Sequence, residues 1–169
     1  MFFEIKDLGK LHYFIGIQVK QEHDYIWIGQ ETYTQSILER FNMSNCRPAH
    51  TPIDPGAKLK KAGDEEKRFD NQTYQAAIGS LLYLSLYTRP DISHAVSKLA
   101  KYYNDPSIHH WQCVKQIFRY LQGTKRLGLI YTNCKNNLQG YADADFGGDL
   151  DDRKSTSGYI VMKNNGPLS

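Results

Sequence analysis

Apolar residues recur at helical spacing in three consecutive segments between residues 73 and 121, and no other feature constrains the fold as strongly. Thr73 to Tyr87 carries Tyr74, Ile78, Leu81, Leu82 and Leu84 around most of a helical circumference, which predicts a central, buried helix. Pro90 stops it and suits the first turn of the next helix. That helix, Asp91 to Asn104, stacks Ile92, Ala95, Val96, Leu99 and Tyr103. Asp105-Pro106 reads as the N-cap and first residue of a third, in which Trp111, Val114, Phe118 and Leu121 repeat at threes and fours and Gly123 is the stop. The small pair Gly79-Ser80 would let a neighbouring helix approach closely.

The flanks are rich in β-formers. Tyr13 to Val19 and Tyr25 to Ile28, separated by the polar Lys20 to Asp24, predict a hairpin. Gly16 within the first strand suggests a bulge or a close backbone approach. Glu31 to Asn42 follows as a helix with Tyr33, Ile37, Leu38 and Phe41 on one face. From Met43 to Asn71 periodicity vanishes, prolines and a charged run appear, and a long, partly mobile connector is expected. Leu127 to Thr132, Leu138 to Asp145 and Ser157 to Lys163 read as a last block of strands. So few strands leave open edges and little core. The fold class is therefore α+β: a β-hairpin, a bundle of three to four helices, then a short antiparallel sheet.

Composition removes several classes. With 40% hydrophobic and 23% charged residues, the chain is globular rather than disordered. Its longest apolar run, Ile78 to Tyr87, is broken by Gly79, Ser80 and Ser85 and falls short of the ~20 residues of a membrane span. The N-terminus lacks a basic-then-apolar pattern, so secretion is not expected and an intracellular site, cytoplasmic or nuclear, is. The three cysteines, Cys46, Cys113 and Cys134, form no pair pattern and argue against a disulfide scaffold or a structural zinc. No nucleophile-elbow, zincin, dinucleotide or Walker loop is present, and His109-His110 reads as a solvent or capping feature.

Charge is unevenly placed. Lys98, Lys101, Lys115, Arg119, Lys125, Arg126 and Lys135 face only Asp105 between Ile92 and Gly140. The balance then reverses at Asp143, Asp145, Asp149, Asp151 and Asp152. Two readings stand: a polyanion-handling surface beside a metal site, or two solvated faces. Lys115 and Arg119, four apart, and Lys98 and Lys101, three apart, could straddle a phosphate backbone. Asp143-Ala144-Asp145 on a strand would project two carboxylates from one face, about 7 Å apart, where they could hold Mg²⁺. The solvated alternative stays open. An EF-hand is excluded because position 12 would be Lys154.

Five strings together resemble the Pol polyprotein of copia-type LTR retrotransposons. They are Asp7-Leu8-Gly9-Lys10-Leu11-His12-Tyr13-Phe14-Ile15-Gly16-Ile17; Ile78-Gly79-Ser80-Leu81-Leu82-Tyr83-Leu84 with Thr88-Arg89-Pro90-Asp91-Ile92; Arg119-Tyr120-Leu121-Gln122-Gly123-Thr124; Gly140-Tyr141-Ala142-Asp143-Ala144-Asp145; and Asp152-Arg153-Lys154-Ser155-Thr156-Ser157-Gly158-Tyr159. The resemblance implies the C-terminal part of a reverse transcriptase and the start of a ribonuclease H. It implies an end of palm at 1–42 with a primer grip at Tyr13, Phe14, Ile15 and Gly16. It further implies a connector at 43–72, a thumb- or connection-like region at 73–125 and a truncated ribonuclease H-like domain at 126–169. Asp143 aligns with the first metal-binding aspartate, and Asp145 is the second choice. Phe146 stands where the family usually shows Trp.

The implied parent uses Mg²⁺ for RNA-templated DNA synthesis and for degrading the RNA strand. Its paired polymerase aspartates fall before Met1 and its other ribonuclease H ligands beyond Ser169. The expectation is therefore a catalytically incomplete chain with no tightly held metal. Its partners would be an RNA–DNA or DNA primer–template duplex and the rest of the polyprotein, with no membrane. The alternatives are an inert or domesticated remnant, and a small metal-dependent transferase using Asp143-x-Asp145.

Overall fold

Among the described residues four helices supply the core, and two antiparallel sheets are attached to it, confirming the α+β class. The computed structural model describes residues 6, 7, 9–134 and 136–168. Met1 to Ile5 of the N-terminal pattern, Leu8 of the first string, Lys135 of the basic run and Ser169 lie outside the described residues. Among the described residues no helix is long and apolar enough to cross a membrane.

The first sheet has the order β1 (Tyr13–Phe14), β2 (Ile17–Gln21), β3 (Tyr25–Gly29), β4 (Gly128–Thr132), all antiparallel. The first predicted strand is thus two strands. Ile15 and Gly16 form the turn between them, with φ of +47° and +73°, so Gly16 marks a hairpin turn and not a bulge. The strand expected at 127–132 also lies elsewhere than expected. It pairs with β3, Ile28 opposite Leu129 and Gly29 opposite Gly128, and not with the strands that follow it. The Trp27 indole covers this end of the ladder. A Cβ at Gly128 would stand 2.3 Å from the Ile28 carbonyl oxygen and 2.7 Å from Trp27 Nε1, so only glycine lets β4 close on β3.

Helix α1 (Glu31–Arg40) buries Ile37 and Leu38 and half-buries Tyr33 and Phe41, as its spacing predicts. Helix α2 (Asn71–Tyr87) is capped by Asp70, whose carboxylate accepts from the Thr73 amide at 2.7 Å. It buries Tyr74, Ala77, Ile78, Leu81 and Leu84. Gly79 does not mark a helix contact: a Cβ there would meet nothing within 4 Å. A single 3₁₀ turn, Pro90–Ile92, leads into α3 (Ser93–Ala100), which ends four residues before its predicted end. The chain then turns, so Tyr102 is buried and Tyr103 is exposed, the reverse of the periodic expectation.

Helix α4 (Ile108–Gly123) starts later than Asp105-Pro106 would place it. Ser107 is its N-cap, and Asp105 instead pairs with Arg68 at 2.6 Å. His110 completes a capping box: the Ser107 amide donates to Nδ1 at 3.0 Å, while Ser107 Oγ accepts from the His110 amide. Its Nε2 lies 3.0 Å from the Lys60 carbonyl, which can only accept, so the proton sits on Nε2 and the ring must be neutral. Burial, chiefly, lowers the ring's pKa below 6.5. The unfolded chain therefore takes up a proton first as pH falls. His110 contributes its full stabilisation above pH 6.5 and loses it as pH drops from there towards the folded value. Urea midpoints should fall in the wild type across that window, and His110→Gln should flatten the slope.

The connector from 43 to 70 has no helix or strand, but it is fastened along α4 and not free. The Ala49 amide donates to the Arg119 carbonyl at 3.1 Å, Gln122 Nε2 to Ser44, Gln116 Nε2 to Thr51, and the Ile108 amide to Lys67. Leu59 is buried in the helical core.

The second sheet has the order β5 (Gln139–Ala144), β6 (Ser157–Lys163), β7 (Gly166–Pro167). Every residue of β5 is exposed. Asn164 and Asn165, both at positive φ, turn β6 into β7, an asparagine signal that fits a two-residue hairpin. Tyr131 of β4 donates to the Pro167 carbonyl at 2.6 Å, which links the two sheets.

Candidate nucleic-acid interface

The exposed turn between β1 and β2 is the most distinctive surface feature. Tyr13, Phe14 and Ile15 are 55%, 58% and 63% exposed, a run of large side chains that a soluble core would normally cover. The turn rests on α2. Tyr83 donates its hydroxyl proton to the Ile15 carbonyl, and the same oxygen lies 3.1 Å from where a Cβ on Gly16 would stand. Tyr83 in turn packs edge-on against Tyr33 of α1, centroids 4.9 Å apart, and against Tyr87 at 4.8 Å. Burial and the neighbouring tyrosines raise the Tyr83 phenol pKa, so it stays a neutral donor. Gly16 is thus closely approached, but by a helix of the same chain.

The four basic candidates fall into different situations. Lys101 pairs with Asp149, which raises the amine's pKa and lowers that carboxyl to about 2. Lys98 lines the same cleft beside Gly148, Asp149 and Leu150. Basic helix and acidic loop therefore meet, and part of the asymmetry seen along the chain is cancelled in space. Arg119 is half-buried and holds the connector, its Nε donating to the Arg47 carbonyl at 2.9 Å and its Nη1 to Gln116 at 3.3 Å. Lys115 is exposed on α4 and makes no hydrogen bond or ion pair among the described residues.

Asp143 and Asp145 line one cleft with His94 and Tyr159. Their carboxylates turn to the backbone: Asp143 accepts from the Ala144 amide at 2.9 Å and Asp145 from the Thr156 amide at 2.5 Å. Asp145 lies just past the end of β5, its own amide donating to the Thr156 carbonyl at 3.0 Å. Among the described residues no group of three His, Cys, Asp or Glu side chains is placed to hold a metal ion. Two carboxylates alone do not complete a two-metal centre.

Two strings singled out in the sequence meet in a buried polar network. Arg89, 2% exposed, donates from Nη2 to Asp91 at 2.8 Å, from Nη1 to the Thr124 carbonyl at 3.0 Å and from Nη2 to Thr124 Oγ1 at 2.7 Å. Tyr120 donates to the same Asp91 at 2.8 Å, and Thr88 donates to Gln30. Thr88 to Asp91 and Tyr120 to Thr124 therefore clamp the start of α3 to the end of α4. Neither Tyr83 nor Arg89 stood out as a functional candidate in the sequence, because their partners lie 68 and 35 residues away.

The sequence that folds in this way belongs to a known class. Residues 1–55 match the family model described as Reverse transcriptase (RNA-dependent DNA polymerase). The chain is 38% identical over 99% of its length to the Retrovirus-related Pol polyprotein from transposon TNT 1-94 of Nicotiana tabacum, and 40% identical over 99% to that from transposon RE1 of Arabidopsis thaliana. It covers 13% and 11% of those proteins. An uncharacterized mitochondrial protein of Arabidopsis thaliana is 37% identical over 95% of the chain, which spans 66% of it. No solved structure matches. The chain belongs to the Pol polyprotein family of copia-type retrotransposons and corresponds to a part of it that includes reverse transcriptase sequence.

Proposed function

We propose that this chain binds a primer–template duplex, RNA–DNA or DNA, and catalyses no reaction by itself. The observation that carries the reading is the β1–β2 turn: an exposed Tyr13-Phe14-Ile15 edge held out on α2, in the segment where the chain resembles a primer grip. Aromatic edges of this kind offer sequence-tolerant contact to bases and sugars. Lys115, exposed on α4 and without a partner among the described residues, supplies a phosphate contact, with Lys98 a second. In this reading 1–42 ends a palm, 73–125 forms a thumb- or connection-like bundle, and 126–169 begins a ribonuclease H-like sheet. The pairing of β4 with β3 ties the last segment to the first. Other parts of the polyprotein would complete both active sites and supply the remaining Mg²⁺ ligands.

The wholly exposed β5 supports a second reading, a folded remnant held together by its helical core. The transferase reading asks for a parallel sheet, and every strand pair among the described residues is antiparallel.

The test is electrostatic. Affinity for a labelled hybrid duplex should fall steeply with salt, and Lys115→Ala should reduce the log–log slope by about one. An unchanged slope removes Lys115 from the interface. Appreciable magnesium-dependent cleavage of the hybrid by the pure chain would contradict the non-catalytic part of the reading.

A further inference from the structure

The turn at the centre of the proposed interface is conformationally costly as written. A two-residue hairpin with both central residues at positive φ favours Asn-Gly, because asparagine and glycine tolerate that region. Here the first position is Ile15, whose branched Cβ makes φ of +47° a genuine outlier. The sequence of the turn therefore does not hold its own conformation, and something else must.

The contact that does so is with α2. Tyr83 donates to the carbonyl of Ile15 itself, and its phenol oxygen would stand 3.1 Å from a Cβ at position 16. Tyr83 is braced on both sides, by Tyr33 from α1 and by Tyr87 one turn further along α2. The hydroxyl is thus fixed by the helical core and aimed at a strained peptide on the surface. We propose that Tyr83 is a positioning residue that locks the Ile15-Gly16 turn in the conformation that presents Tyr13 and Phe14 to nucleic acid. The proposal rests on the duplex-binding reading above and deepens it by naming the residue through which α2 sets the turn.

Tyr83→Phe keeps the ring and its aromatic neighbours and removes only the donor. Two readouts separate the latch from the reading it serves: backbone amide exchange across residues 14–17, and affinity for a labelled hybrid duplex across a salt series. Exchange should quicken and affinity fall by about two- to tenfold, the range that one hydrogen bond's net worth allows. The salt slope should stay that of the wild type, since no phosphate contact is lost. Adding Ile15→Asn to Tyr83→Phe creates a turn that holds itself, and should restore slow exchange. Wild-type exchange and affinity in Tyr83→Phe would overturn the latch. Faster exchange in a protein whose wild type binds no duplex would overturn the positioning role together with the duplex-binding reading.

Discussion

Replacing Arg89 with alanine is expected to destabilise the fold by about 3 kcal/mol, the lower end of the cost of removing one partner from a buried ion pair. The lower end applies because Asp91 remains 35% exposed and water can reach its carboxylate. The loss has three parts: the paired charge, the donors to Thr124, and the packing of the guanidinium over the Tyr120 ring at 5.5 Å. Arg89→Lys should recover only a fraction, since an ammonium cannot serve Asp91 and Thr124 at once with a planar fork. There is an independent readout at Asp91. Burial pushes its carboxyl up, but the hydrogen bonds and charge of Arg89 outweigh burial and hold it below its usual range. Arg89→Ala should therefore raise the Asp91 pKa, measurable by NMR titration. Wild-type stability in Arg89→Ala would show that the clamp between α3 and α4 is incidental.

Phe118→Ala should cost about 3–5 kcal/mol, the range for removing a fully buried aromatic ring. Phe118 has no exposed surface. It stacks on Phe41 with centroids 5.0 Å apart and meets Trp111 edge-on at 6.3 Å, and Trp111 in turn stacks on Phe69 at 4.4 Å. The ring thus joins the end of α1 to α4 and, through Trp111, to the connector. Phe118→Leu, which refills much of the volume, should cost less than half as much. Both are read from urea unfolding followed by fluorescence and circular dichroism. Equal losses in the two variants would mean that the site collapses around the smaller residue.

Where the helices lie was legible from spacing alone, because a helix core is written locally: Tyr74, Ile78, Leu81, Val96, Leu99, Val114 and Leu121 are all buried where their periodicity puts them. What sequence could not show depends on partners far along the chain. Nothing in residues 127–132 says that they pair with residues 25–29 across about a hundred positions. The glycine that permits it, Gly128, has meaning only beneath Trp27. Charge counted along the chain suggested separate basic and acidic faces, whereas Lys101 and Asp149 meet. The start of α4 went to Ser107 and not Asp105 because His110 could complete a box with Ser107, while Arg68 took Asp105. At the candidate interface, Tyr13 to Gly16 could be named from resemblance. The strain at Ile15 and the Tyr83 contact that holds it in place appear only once α2 is folded against the turn.

The most direct test of the account is a fluorescence anisotropy titration of the full chain against a labelled RNA–DNA primer–template duplex at 50 and 200 mM salt. The account predicts saturable binding that weakens by at least tenfold at the higher salt and shows little preference for base sequence. Absence of binding at 50 mM, or binding that ignores salt, would contradict it and leave a folded remnant as the reading that stands.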